Sequence, residues 1–186
     1  MGNGLGEIGN AWVIDRSSWT HGDSRKGNDR TNMLSATALV RVLTIDPALP
    51  AAAAPDLISA LEKLFAQFTR EDRCHAHAIT VEADGRALVI AWEGAPLSGC
   101  SHDKINQVLS AHEGRTGCSL LAAPPLLVAV AGTPQALMRG GLRRLIQDGQ
   151  VGPDSASWDV RATTLGAWRD SAGKPFAGSA VAALLG

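Results

Sequence analysis

His75-Ala-His-Ala-Ile-Thr-Val-Glu-Ala-Asp-Gly-Arg-Ala-Leu-Val-Ile-Ala-Trp92 decides the fold. His75, His77, Ile79, Val81 and Ala83 alternate with Ala76, Ala78, Thr80 and Glu82, the period of two that belongs to a strand. Asp84-Gly85 follows, and Arg86–Trp92 resumes as a second strand-like run. Asp-Gly between two such runs is a tight hairpin signal. A two-residue turn sets Ala83 opposite Arg86, Val81 opposite Leu88, Ile79 opposite Ile90 and His77 opposite Trp92. His75 and His77 then share a face with Ile79 and Val81 at the open end of the hairpin. The loop Glu93–Gly99 leaves from that same end.

Working outward, Ala38–Ile45 is β-branched and apolar and reads as a strand, stopped by Asp46-Pro47. Pro55 suits a helix's first turn, and Leu57, Leu61, Leu64, Phe65 and Phe68 repeat at threes and fours, so a helix follows. Downstream of the hairpin, Ile105, Val108, Leu109 and His112 mark a helix from about Ser101 to Glu113, with Gly114 as its stop. Leu126–Ala131 has strand length. Thr133-Pro134 reads as an N-cap and first-turn pair. The helix it opens turns Met138, Leu142, Leu145 and Ile146 inward and ends at Gly149, with Arg139, Arg143 and Arg144 pointing elsewhere. The tail, with Trp158, Val160 and Trp168, adds a strand or two and a covering segment.

Strand, helix, strand, strand, helix, strand, helix is the order of a split βαβ plan. The expected class is α+β, a ferredoxin-like two-layer sandwich with extra C-terminal elements. Residues 34–186 form its single domain. Residues 1–33 read as a polar N-terminal arm, with a short apolar edge-strand candidate at Ala11–Ile14 and a loop over Ser17–Asn32. Gly4-Leu-Gly-Glu-Ile-Gly9 spells G-x-G-x-x-G, but only three residues precede it. The dinucleotide fingerprint needs a strand there, so it is set aside.

The 186 residues carry a formal net charge of −1, with 45% apolar and 19% charged residues. That balance gives no electrostatic pull towards nucleic acid or anionic membrane. No run approaches the roughly 18 apolar residues of a membrane span, and no signal-peptide pattern opens the chain. Three cysteines cannot all pair, which favours reduced thiols and a cytoplasmic location. No G-x-x-x-x-G-K-[ST] run occurs, and no motif implies a cofactor.

The chemistry concentrates in Ser98-Gly-Cys-Ser-His-Asp103, at the expected start of a helix. Unpaired N–H groups there lower a thiol's pKa, a histidine can act as base, and a carboxylate can orient it. Cys100 with His77 or His102, and Asp103 or Asp46, supply those types, with Ser101 between them. This is the expectation for a cysteine-dependent hydrolase or acyl transferase. The plainer expectation is a binding or scaffold module. Its Ser98–Asp103 turn is structural, with Ser101 capping the helix, beneath a groove for a small molecule or protein partner. A third alternative is zinc held by His75, His77 and Cys100, with His102 as a fourth ligand, although the usual Cys-x-x-Cys spacing is missing. Arg139, Arg143 and Arg144 could take a phosphate or an acidic partner, or form a solvated helix face.

The run from Ala87 through Trp92-Glu93 to Leu97-Ser-Gly-Cys-Ser-His-Asp103 resembles a family of small uncharacterised bacterial proteins often labelled "ABC transporter ATPase". In them an apolar strand leads into Ser-Gly-Cys-Ser-x-Asp. The likeness extends over about residues 55–168, with His77 at an Ala-His-like element and Asp154–Trp158 at an Asp-x-x-x-Trp/Phe stretch. His102 stands where that family has an aliphatic residue. The resemblance singles out Cys100, Ser101 and Asp103 and implies no reaction. The ATPase label finds no phosphate-binding loop here.

Overall fold

β1 (Leu39–Thr44), α1 (Ala54–Arg70), β2 (Ala76–Glu82) and β3 (Ala87–Glu93) open the computed structural model, which describes residues 33–185. The expected arm features at Gly4–Gly9, Ala11–Ile14 and Ser17–Asn32 lie outside the described residues. The three strands form an antiparallel sheet in the order β1-β3-β2. Val81 pairs with Leu88, Ile79 with Ile90 and His77 with Trp92, the register expected from the alternation. The turn is wider than two residues. The ladder closes at Glu82 and Ala87, and Ala83, Asp84 and Gly85 are all left-handed, at φ 50°, 52° and 82°. Widening by one residue on each side leaves the register unchanged. A side chain on Gly85 would meet the Leu49 carbonyl oxygen at 2.6 Å, so glycine is required there.

β3 is buried from Ala87 to Trp92, which is why it reads as an unbroken apolar run. On one face, Ile79, Leu88, Ile90 and Trp92 pack against Leu57, Leu61, Phe65 and Phe68 of α1. Ile105 and Leu109 of α2 (Gly99–Thr116) join the same cluster. Each large side chain buried there contributes roughly 1.5–3 kcal/mol. α2 begins two residues before the expected start and runs past Gly114 to Gly117, whose φ of 71° ends it.

The second half departs from the expected plan. β4 (Leu126–Val130) is a strand as anticipated, but Thr133–Leu137 is β5, not the opening of a helix. Ala131 and Gly132, at φ 48° and 83°, make a hairpin turn between them, and Val130 pairs with Thr133. Pro134 is tolerated because β5 is the edge strand of its sheet. α3 is therefore only Arg139–Gln147, and Met138, expected to face inward, is 63% exposed.

β6 (Ala156–Trp158) and β7 (Lys174–Pro175) complete a second antiparallel sheet in the order β5-β4-β6-β7. α4 (Leu165–Ser171) and α5 (Ala180–Ala183) are short C-terminal helices. Leu126, Val128 and Val130 pack with Leu142, Val151 and Val181. Leu127 turns the other way, joining Val40, Val42, Val89, Leu165 and Trp168 behind the first sheet. The class is α+β. The first sheet has the order β1-β3-β2, and β4, the strand that the expected ferredoxin-like plan would set beside β1, belongs to the second sheet.

Among the described residues, that leaves the outer edge of β1 open in the middle. Leu39 is bridged to Thr164 at one end, and Asp46 to Ser119 at the other.

Candidate functional site

Ser98, extended at φ −68° and ψ 162°, is the N-cap of α2, and its Oγ accepts the Ser101 N–H at 3.3 Å. The capping role expected of Ser101 thus belongs to Ser98. Ser101 is completely buried. The Arg73 guanidinium donates to its Oγ at 3.0 Å, and the two serine hydroxyls are 3.1 Å apart. Arg73 also pairs with Glu71 at 2.7 Å and lies over the Phe68 ring. The Gln67 amide on Glu71 holds that carboxyl below its ordinary range, and the charges of Arg73, Lys104 and Arg70 act in the same direction. This network ties the start of α2 to the α1–β2 connection.

The remaining residues of the motif do not assemble. Cys100 is an exposed free thiol, and no hydrogen bond or ion pair joins it to a histidine or carboxylate among the described residues. Asp103 is exposed and stands beyond the first turn of α2. His77 is turned to α1, where its Nε2 is 3.0 Å from Glu62 Oε2 and its ring lies against Phe65. His75 is exposed, 3.9 Å from Asp72. Asp46 pairs with Arg86.

Hairpin register places His77 where expected. The helix packed over that face supplies its partner, a side-chain encounter that strand periodicity does not encode. Among the described residues no group of three or more His, Cys, Asp or Glu is placed to hold a metal ion, so the proposed zinc ligands are not brought together. Sequence reasoning missed Arg73 and Glu62 altogether. Each looked like an ordinary charge at a helix boundary or flank.

His112, anticipated on the inner face of α2, is buried, with Nδ1 3.3 Å from the Arg115 guanidinium and Nε2 without a hydrogen-bond partner among the described residues. Burial first, then the charge of Arg115, push its pKa below the ordinary histidine value, while Asp56 opposes them.

Concave surface lies elsewhere. A cavity of about 580 Å³ follows β2, lined by Ile58, Ile79, Val81, Pro134 and Trp158. A smaller one of about 260 Å³ lies among the C-terminal elements. A third, about 470 Å³, lies at the outer edge of β1 and is lined by Val42 and Thr44 with Leu120, Leu121, Pro125, Val160 and Leu184. None of the three is lined by Ser98–Asp103.

The β1 groove has a polar floor. Ile45 donates to the Arg86 carbonyl on the β3 side, whereas Val40 donates outward to Thr163, and Asp46 exchanges outward bonds with Ser119. Main-chain groups alternate along an antiparallel strand, so those of Val42 and Thr44 also point outward. Both residues are buried, and no hydrogen bond takes up their N–H and C=O groups among the described residues. Buried main-chain groups are paired in the great majority of cases.

No family model, curated protein or solved structure matches this chain.

Proposed function

We propose that this protein is a binding module that takes an extended segment of a partner protein along the open edge of β1. In this reading Ser98–Asp103 is a structural turn. The observation that carries it is the pair Val42 and Thr44, whose outward main-chain groups have no hydrogen-bond partner among the described residues and lie along a groove with largely apolar walls. Strand addition supplies affinity through main-chain hydrogen bonds and selectivity through the pockets on either side. The likeness to Ser-Gly-Cys-Ser-x-Asp proteins is then the likeness of a capped helix start. In it Ser98 caps, and the buried Ser101 hydroxyl anchors Arg73.

What favours this over a cysteine hydrolase or acyl transferase is the separation of its parts. Among the described residues no hydrogen bond or ion pair joins Cys100 to a base, and His77 is engaged by Glu62. What favours it over a zinc protein is that His75, His77 and Cys100 do not converge. No helix among the described residues is long and apolar enough to cross a membrane.

The test is Val42→Pro. It removes an outward N–H and no ladder bond, at a modest cost in packing, so the sheet stays intact while a docked strand loses a donor. A peptide selected on the wild-type chain from a random displayed library should bind Val42→Pro at least tenfold more weakly, from one lost hydrogen bond and the intruding ring. Equal binding to both chains overturns strand addition at this edge.

A further inference from the structure

Resting on that strand-addition reading, we propose that the groove receives the carboxyl-terminal end of a partner protein, with Arg139 taking its free carboxylate. The closed ends of the edge argue for a chain end. Thr163–Leu165 takes the Val40 N–H and the Ala38 carbonyl, and Ser119 takes both outward groups of Asp46. Among the described residues, the Val40 carbonyl and both main-chain groups of Val42 and Thr44 remain between them. A strand running on through the groove must pass both of these segments, whereas a chain that stops at the Thr44 end avoids Ser119 and has only Thr163–Leu165 to pass.

The charge on the rim argues for a carboxylate. Arg139 lines the groove, is exposed, and has no hydrogen-bond or ion-pair partner among the described residues. Arg161, the other arginine on the wall, is taken up by Asp159 and the Ala180 carbonyl. Arg143 reaches the Leu185 carbonyl, and neither it nor Arg144 meets a carboxylate. α3 carries no acidic residue in its first turn. The basic helix face noted in the sequence is therefore left with a free guanidinium at the groove, and a guanidinium binds a carboxylate through two parallel hydrogen bonds.

The same geometry orients the chain. Leu126 pairs with Leu137, so Arg139 begins α3 just beyond the foot of β4. The neighbouring Pro124 carbonyl accepts the Thr44 hydroxyl at 2.7 Å. The carboxylate belongs at the Thr44 end, and the docked strand runs parallel to β1. Leu120, Leu121, Pro125, Val160 and Leu184 select apolar side chains in its last residues.

The experiment uses the full 186-residue chain and random heptapeptides displayed with free carboxyl termini. The peptide most enriched over a Val42→Pro control is synthesised as the acid and as the amide, and both are titrated by fluorescence polarisation. The acid should bind about tenfold or more tightly than the amide, the scale of a charge-assisted hydrogen bond. Arg139→Gln should reduce the acid to the level of the amide and leave the amide unchanged. Circular dichroism of Arg139→Gln checks that this exposed change leaves the fold alone. Acid and amide binding within twofold, or an equal effect of Arg139→Gln on both, overturns the carboxylate assignment. If Val42→Pro still weakens both peptides in that case, strand addition itself stands. Failure of any peptide to enrich over Val42→Pro counts against both.

Discussion

Proline scanning of β1 separates an open edge from a paired one, because adjacent residues face opposite ways. Val42→Pro deletes an outward N–H that bonds nothing among the described residues, and the Pro ring replaces a side chain of similar apolar size. Proline is accepted at edge positions whose N–H faces away from the ladder. The expected cost is about 1 kcal/mol, from imperfect packing against the cluster of Val40, Val89 and Leu127. Leu43→Pro lies one residue on, at a position that pairs with Leu88 and faces β3. It removes a ladder donor and strands a buried acceptor, at about 1–3 kcal/mol. Ring clash and lost Leu43 packing bring the total to roughly 3 kcal/mol or more. Urea unfolding read by tryptophan fluorescence measures both, provided the slopes agree so that midpoints compare as free energies. A Val42→Pro chain as unstable as Leu43→Pro would refute the reasoning, since its N–H would then have to be bonded in the native protein.

Three further outcomes follow from the same geometry. Ser98→Ala removes the N-cap acceptor, and Ser101→Ala removes the acceptor of Arg73; each should cost about 1 kcal/mol. The double change should cost less than the sum, because the two hydroxyls bond each other; thermal unfolding of the set reads this coupling. One thiol, Cys100, should react with Ellman's reagent in the native chain and all three in denaturant, since Cys74 and Cys118 are buried; any other native count contradicts the burial. His112, held below its ordinary pKa by burial and Arg115, stays neutral in the native protein as the unfolded chain takes up a proton. Its contribution to stability is fully present above about pH 6.5 and falls as pH drops through the unfolded value towards the lower native one. Urea midpoints at pH 7.5 and 5.5 should therefore differ less in His112→Leu than in wild type.

The site was legible in parts. Ser98–Asp103 was visible as a helix start rich in reactive side chains, and its cap and buried hydroxyl are real features of α2. What Cys100 would meet was not visible. A side chain's neighbours from other elements depend on how helices lie over the sheet, and α1 brought Glu62 to His77. The Arg139–Arg144 cluster could be read as basic, yet its place beside a groove followed only once α3 proved shorter and displaced by β5.

The sequence by itself determined β2, β3 and their register, because a period of two admits one pairing that keeps Ile79, Val81, Leu88 and Ile90 on a single face. It determined α1 for the same kind of reason, through a stripe at threes and fours. Only the tertiary structure decided which partner β4 would take. Leu126–Val130 is apolar throughout and suits either sheet. The left-handed pair Ala131-Gly132 closes a local hairpin with Thr133–Leu137, whereas reaching the edge of β1 would require closing a much longer loop. With β4 drawn away, no described residue pairs with the edge of β1 at Val42 and Thr44.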